Sequence, residues 1–140
     1  MLTQMELQNI LPQAYPFLMI DRILEIKKGE SLTAIKNITG NEWIFQNQHF
    51  QIDHLPEPFL IEAAAQAALV LYAMDASVGR GIKFLGKCKA EFYDRALLGD
   101  QLMIGVDILK LLKNLGFFHA YLSVGSKKIA DIEVICGVGG

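Results

Sequence analysis

Between His49 and Glu62 the chain places a histidine, a helix start marked by Pro56 and Pro58, and a carboxylate. Those three parts suit proton transfer beside a carbonyl group. A histidine titrates near neutral pH and can take a proton. A carboxyl in an apolar setting holds its proton at higher pH than usual and can give one. The first amides of a helix have no internal partner, so those of Glu57 and Phe59 are expected to face whatever precedes the helix. That end would stabilise negative charge developing on an oxygen, such as that of a thioester. Gln66 stands four residues after Glu62, on the same helical face, and is placed to hydrogen-bond to it. Plainer roles compete. A glutamate near a helix N-terminus is favoured by the dipole and can simply reach water. A lone histidine in a loop is more often a surface residue than a base.

The element that must position these groups is the seventeen-residue run from Pro58 to Met74, whose only polar side chains are Glu62, Gln66 and the half-apolar Tyr72. A surface helix carries one apolar stripe and one charged face. This run is apolar all round, which predicts a helix roughly 25 Å long inside the protein. It falls short of the ~20 apolar residues of a membrane span and carries a carboxylate, so a core helix is expected and no membrane span.

The whole chain supports that reading. Its 140 residues suit a single domain, 1–140, with a substantial core. It is 52% hydrophobic with a mean hydropathy of +0.30, an excess that an internal helix and a buried subunit interface would both absorb. A net charge of −2 without a basic block argues against nucleic acid as a partner. Cys88 and Cys136 have neither metal-ligand spacing nor a disulfide framework, and Met1 to Ile10 lacks the basic and apolar regions of a signal peptide. Both features fit a cytoplasmic protein. No repeat, linker or low-complexity segment interrupts the chain.

Thr3 and Glu6 have capping-box spacing, predicting a short helix over Gln4–Ile10 that ends at Leu11-Pro12. Phe17–Ile26 and Ser31–Ile38 read as a hairpin around Lys27-Lys28-Gly29, followed by a loop or short helical turn with Trp43 over Asn41–Gln48. The buried helix ends at Val78-Gly79-Arg80-Gly81. Four strands follow: Ile82–Phe92, Gln101–Lys113, Phe117–Val124 and Lys128–Val138, with turns at Leu98-Gly99-Asp100, Asn114-Leu115-Gly116 and Gly125–Lys127. Their spacing predicts a meander. The fold class is therefore α+β, an antiparallel sheet wrapped around a long buried central helix. His54 and His119 are read as structural, and Asp100 as a turn residue.

That order resembles the hotdog-fold (3R)-hydroxyacyl-acyl carrier protein dehydratases over nearly the whole chain. The resemblance rests on Leu11-Pro12, Tyr15-Pro16-Phe17-Leu18, Asp21-Arg22, Lys36-Asn37, Phe45-Gln46, His49-Phe50, Glu62-Ala63 with Ala65-Gln66-Ala67, Phe92, and Gly99-Asp100-Gln101-Leu102. It implies His49 as the base and Glu62 as the acid, with Glu62 supplied by the second subunit of a homodimer. It also implies helix N-terminal amides that polarise the thioester carbonyl, with Glu57, Pro58, Phe59 and Gln66 binding the substrate. The implied substrate is a 3-hydroxyacyl thioester on acyl carrier protein or coenzyme A, and no metal or other cofactor is expected. A trimer of dimers is the larger assembly the resemblance allows.

This chain departs from the family pattern at the site. The Pro-Gly after the His-Phe pair is lost, His49 stands one residue closer to the helix, and Glu57 stands where the family has a glycine whose N–H serves the carbonyl. The resemblance therefore implies a divergent dehydratase, with a hotdog acyl thioesterase or a non-catalytic acyl-binding hotdog subunit as alternatives.

Overall fold

Ten consecutive residues, 63–72, are buried, so no face of the central helix reaches solvent along that stretch. The structure is a computed structural model that describes residues 2–3, 19–39, 53–75 and 82–139. The helix, α1, runs over Glu57–Ala73, one residue earlier at each end than its apolar run predicts. Its small residues, Ala63, Ala64, Ala65, Ala67 and Ala68, allow close approach of the surrounding backbone. Leu60, Leu69, Val70 and Leu71 supply the larger apolar bodies, each contributing roughly 1.5–3 kcal/mol on burial. The helix packs against five strands, which makes it the axis of the core. Among the described residues no helix is long and apolar enough to cross a membrane.

Those strands belong to one antiparallel sheet: β1 (Leu2–Thr3), β2 (Arg22–Lys27), β3 (Ser31–Asn37), β4 (Ile82–Phe92), β5 (Gln101–Leu111), β6 (Leu115–Val124) and β7 (Lys127–Gly139). The spatial order is β1-β2-β3-β5-β6-β7-β4. Inner-face residues alternate with outer ones, as Phe118, Ala120 and Leu122 do along β6 and Ile132, Val134 and Cys136 along β7.

Three differences from the sequence reading have physical causes. First, the last four strands are not a meander. β5, β6 and β7 are, but β4 lies at the far edge, paired with β7. The place beside β5 belongs to β3, because the Ile38 N–H donates to the Asp100 carbonyl at 2.9 Å and the Gly99 N–H to the Ile38 carbonyl at 2.7 Å. Second, Met19 and Ile20 stay outside β2, and the Met19 N–H is spent on a side chain instead of a strand ladder. Third, Gly116 is not a turn residue. It lies within β6, where an added Cβ would come within 2.6 Å of the Phe118 ring and 3.0 Å of the Tyr72 ring. The chain reverses one step earlier, with the Leu112 N–H donating to the Leu115 carbonyl at 2.7 Å.

The expected helix over Gln4–Ile10 and the segment with Trp43 lie outside the described residues, as does the start of the Phe17 strand. The expected helix stop at Val78–Gly81 is corrected: α1 already ends at Ala73, where the Met74 N–H closes the last turn on the Val70 carbonyl at 3.1 Å.

Candidate active site

Pro56 sets the start of α1, with an extended backbone (φ −60°, ψ 151°) and no side-chain cap. Pro58 follows at the second helical position, where the missing N–H costs nothing. The segment before the helix is held by a short crossing. Leu55 N–H donates to the Ala96 carbonyl and Leu98 N–H to the Asp53 carbonyl, at 2.9 and 2.8 Å, around an antiparallel bridge between His54 and Leu97. Asp100 closes the turn beyond it by accepting the Leu97 N–H at 2.8 Å, with Gly99 at φ +95°. The turn chemistry read for Asp100 is thus present, and it fixes the helix start against the sheet.

The amides at that start are fewer than expected. Phe59 N–H donates to the Pro56 carbonyl at 3.0 Å and Leu60 N–H to the same oxygen at 3.3 Å, so neither is left open. The expectation of a free Phe59 amide is corrected by this tight first turn. With both prolines lacking a donor, the Glu57 N–H remains as the open amide of the first turn among the described residues. The Glu57 side chain is exposed beside it, favoured by the positive end of the helix dipole. Pro58 is exposed and Phe59 partly buried.

One turn further along, Glu62 is partly buried and Gln66 is completely buried. The Gln66 amide Nε2 donates to Glu62 Oε1 at 3.0 Å, the contact their spacing predicts. Its other end accepts the Met19 N–H at 2.7 Å. Met19 leads into Asp21, whose own N–H donates to the Ile35 carbonyl at 3.0 Å and whose carboxylate accepts the Asn37 N–H at 2.5 Å. Asn37 Oδ1 in turn accepts a hydrogen bond from Gln101 Nε2 at 3.0 Å. A carboxyl on the central helix is thereby tied through one buried amide to the strand pair that carries the sheet. Such a carboxyl can hold a proton in a set direction and exchange it with a bound molecule.

Sequence reasoning missed the Met19 N–H, because a backbone donor leaves no mark in residue type. Asp21, Asn37 and Gln101 were visible only as motif fragments, without their connection.

The remaining candidates are placed as follows. His49 lies outside the described residues. His54 is partly exposed and its Nδ1 meets Asp53 Oδ1 at 3.0 Å; this hydrogen bond holds the Asp53 carboxyl below its usual range. His119 sits on the outer face of β6 with Nε2 at 3.2 Å from Asp131, a carboxylate held low chiefly by the Lys128 ammonium at 2.7 Å. Among the described residues no three His, Cys, Asp or Glu side chains are grouped to hold a metal ion.

Comparison with known proteins identifies the family. Residues 11–133 match the model of the FabA-like domain. The chain is 39% identical to the 3-hydroxyacyl-[acyl-carrier-protein] dehydratase FabZ of Desulforamulus reducens, over 95% of its own length and 94% of the relative's. Against the protein of the same name from Enterococcus faecalis it is 37% identical, over 99% of each chain. Among solved structures, the dehydratase heterocomplex ApeI:P from Xenorhabdus doucetiae shares the fold with a TM-score of 0.77 at 16% identity, covering 96% of this chain and 91% of that one. A hypothetical thioesterase with coenzyme A from Streptococcus pneumoniae shares it at a TM-score of 0.68 and 8% identity, over 85% of each. Fold alone thus spans a dehydratase complex and a hypothetical thioesterase, whereas the identity along nearly the whole chain falls on one group: the chain belongs to the FabA-like family of hotdog proteins, with FabZ-type 3-hydroxyacyl-[acyl-carrier-protein] dehydratases as its relatives.

Proposed function

We propose that the protein removes water from a (3R)-3-hydroxyacyl thioester, carried on acyl carrier protein, to give the trans-2-enoyl thioester in fatty-acid biosynthesis. The observation that carries this reading is the Glu62–Gln66 pair, 3.0 Å apart on the central helix of a chain with FabZ relatives along almost its full length. His49 takes the C2 proton and Glu62 delivers a proton to the 3-hydroxyl, which departs as water as the C2–C3 double bond forms. The C2 proton is only weakly acidic, so the thioester oxygen needs a hydrogen-bond donor as charge builds on it. The Glu57 N–H is that donor, and Pro58 and Phe59 line the approach. No step calls for a metal or organic cofactor.

The active form is a homodimer in which His49 and Glu62 of each site come from different subunits. β4 supports this: it is an eleven-residue strand at the edge of the sheet, and a long edge strand invites pairing with a second copy. Cys88 and Cys136, both free thiols, suit a cytoplasmic setting. Thioesterase action would release free thiol instead of enoyl product.

The test is a mixing experiment. His49→Ala and Glu62→Gln proteins, each expected to be inactive, are unfolded together and refolded. Random pairing makes half the dimers mixed, and each mixed dimer holds one intact site, so about a quarter of wild-type enoyl formation returns. No recovery in confirmed heterodimers refutes the shared site, and near-normal turnover by Glu62→Gln alone refutes the acid.

A further inference from the structure

The side chain of Gln66 is completely buried, and both ends of its amide are engaged. The end facing Met19 meets a backbone N–H, which can only donate, so that end must be the amide oxygen. The NH2 end therefore faces Glu62, and it too can only donate. Glu62 Oε1 is then an acceptor whether the carboxyl is ionised or neutral. The carbonyl oxygen of a neutral carboxyl is its better acceptor, so when Glu62 carries a proton this contact favours the proton on Oε2.

We infer that Gln66 is a positioning residue for proton transfer by Glu62. It orients the carboxyl and favours the transferable proton on the oxygen it does not contact. It works from a fixed point, because two residues after Met19 stands Asp21, which is bonded to Ile35 and Asn37 of β3. The acid is thus aligned by the sheet and not only by its own helix. This rests on Glu62 being the proton donor, as proposed above. Gln66 then supports the acid instead of touching the substrate, which its complete burial also favours.

Two variants test the inference. Gln66→Met keeps the length of the side chain and removes both donor and acceptor. Misaligned acids and lost supporting hydrogen bonds typically cost about 10- to 100-fold, so kcat should fall by that factor while KM stays within about threefold. Gln66→Glu still accepts from Met19 but donates to Glu62 only when its new carboxyl is protonated. Its rate relative to wild type, measured at each pH, should rise as pH falls. A purely structural glutamine would lower the melting temperature without changing kcat in the folded protein. The inference is overturned if Gln66→Met keeps kcat within about twofold of wild type, a change too small for a misaligned acid. A Gln66→Glu profile parallel to wild type also overturns it, and decides alone if Gln66→Met fails to fold. Glu62→Gln separates the two levels. If that variant is inactive and Gln66→Met is normal, only the positioning role falls; if Glu62→Gln is active, the acid assignment itself falls.

Discussion

Tyr72 offers a stability experiment with a definite sign. Its side chain is completely buried near the end of α1, its ring meets Phe118 edge-on at a centroid distance of 5.7 Å, and its hydroxyl has no hydrogen-bond partner among the described residues. Burial pushes its phenol above the ordinary value, as expected where the charged form has nothing to solvate it. A buried hydroxyl without a partner costs about 1–3 kcal/mol relative to water. Tyr72→Phe removes that cost and keeps the ring in its seat above Gly116. It forfeits only the dispersion contacts of one oxygen, a few tenths of a kcal/mol in all, at about 0.1–0.2 kcal/mol per contact. The net expectation is a gain of about 1–2 kcal/mol, or roughly 3–8 °C in melting temperature for a domain of this size. Urea unfolding reads it as a higher midpoint at unchanged slope. An unchanged or lowered midpoint would refute the reasoning, because the hydroxyl must then be hydrogen-bonded in solution.

Two further outcomes are expected. Glu57→Gly keeps the open amide at the start of α1 and removes the side chain beside it, so kcat/KM on a simple 3-hydroxyacyl thioester should rise. The gain should stay below the roughly 100- to 1000-fold that a whole oxyanion donor is worth, and a loss would show that the side chain takes part in substrate recognition. Burial also pushes the Cys136 thiol from 9.0 to about 12, so the folded protein keeps this proton at pH values where the unfolded chain gives it up. Its stabilisation is therefore fully present below pH 9 and is lost as pH rises towards 12, with a total on the order of 4 kcal/mol. Cys136→Ala should flatten alkaline urea-unfolding curves over that window, and an unchanged slope would show that the thiol ionises without cost.

The central helix was legible because one property decided it. A long run without a charged face has to be inside, and its proline pair has to mark the start, so the bounds of the apolar run fall within a residue of the helix, although the glycines at Val78–Gly81 lie beyond its observed end at Ala73. The Glu62–Gln66 contact was legible for the same reason, since helical spacing alone brings the two side chains together. Long-range pairing was not. Nothing in Ile82–Phe92 says whether it lies beside β5 or β7; that is settled by Ile38, Gly99 and Asp100, which claim the β5 edge for β3. Gly116 shows the same limit from the other side. Its letter suggests a turn, but its place follows from the Tyr72 and Phe118 rings packed over it, which only the folded chain brings there.

The setting of the acid combines both cases. Glu62, Gln66, Asp21, Asn37 and Gln101 stand out in the sequence as separate fragments. What joins the first two to the rest is a backbone amide at Met19, a group that every residue except proline carries. A donor of that kind is selected by where the chain runs and not by which residue bears it. Substitution of the Met19 side chain should therefore matter through packing alone, while the hydrogen bond that aligns the acid survives in any residue that keeps an N–H.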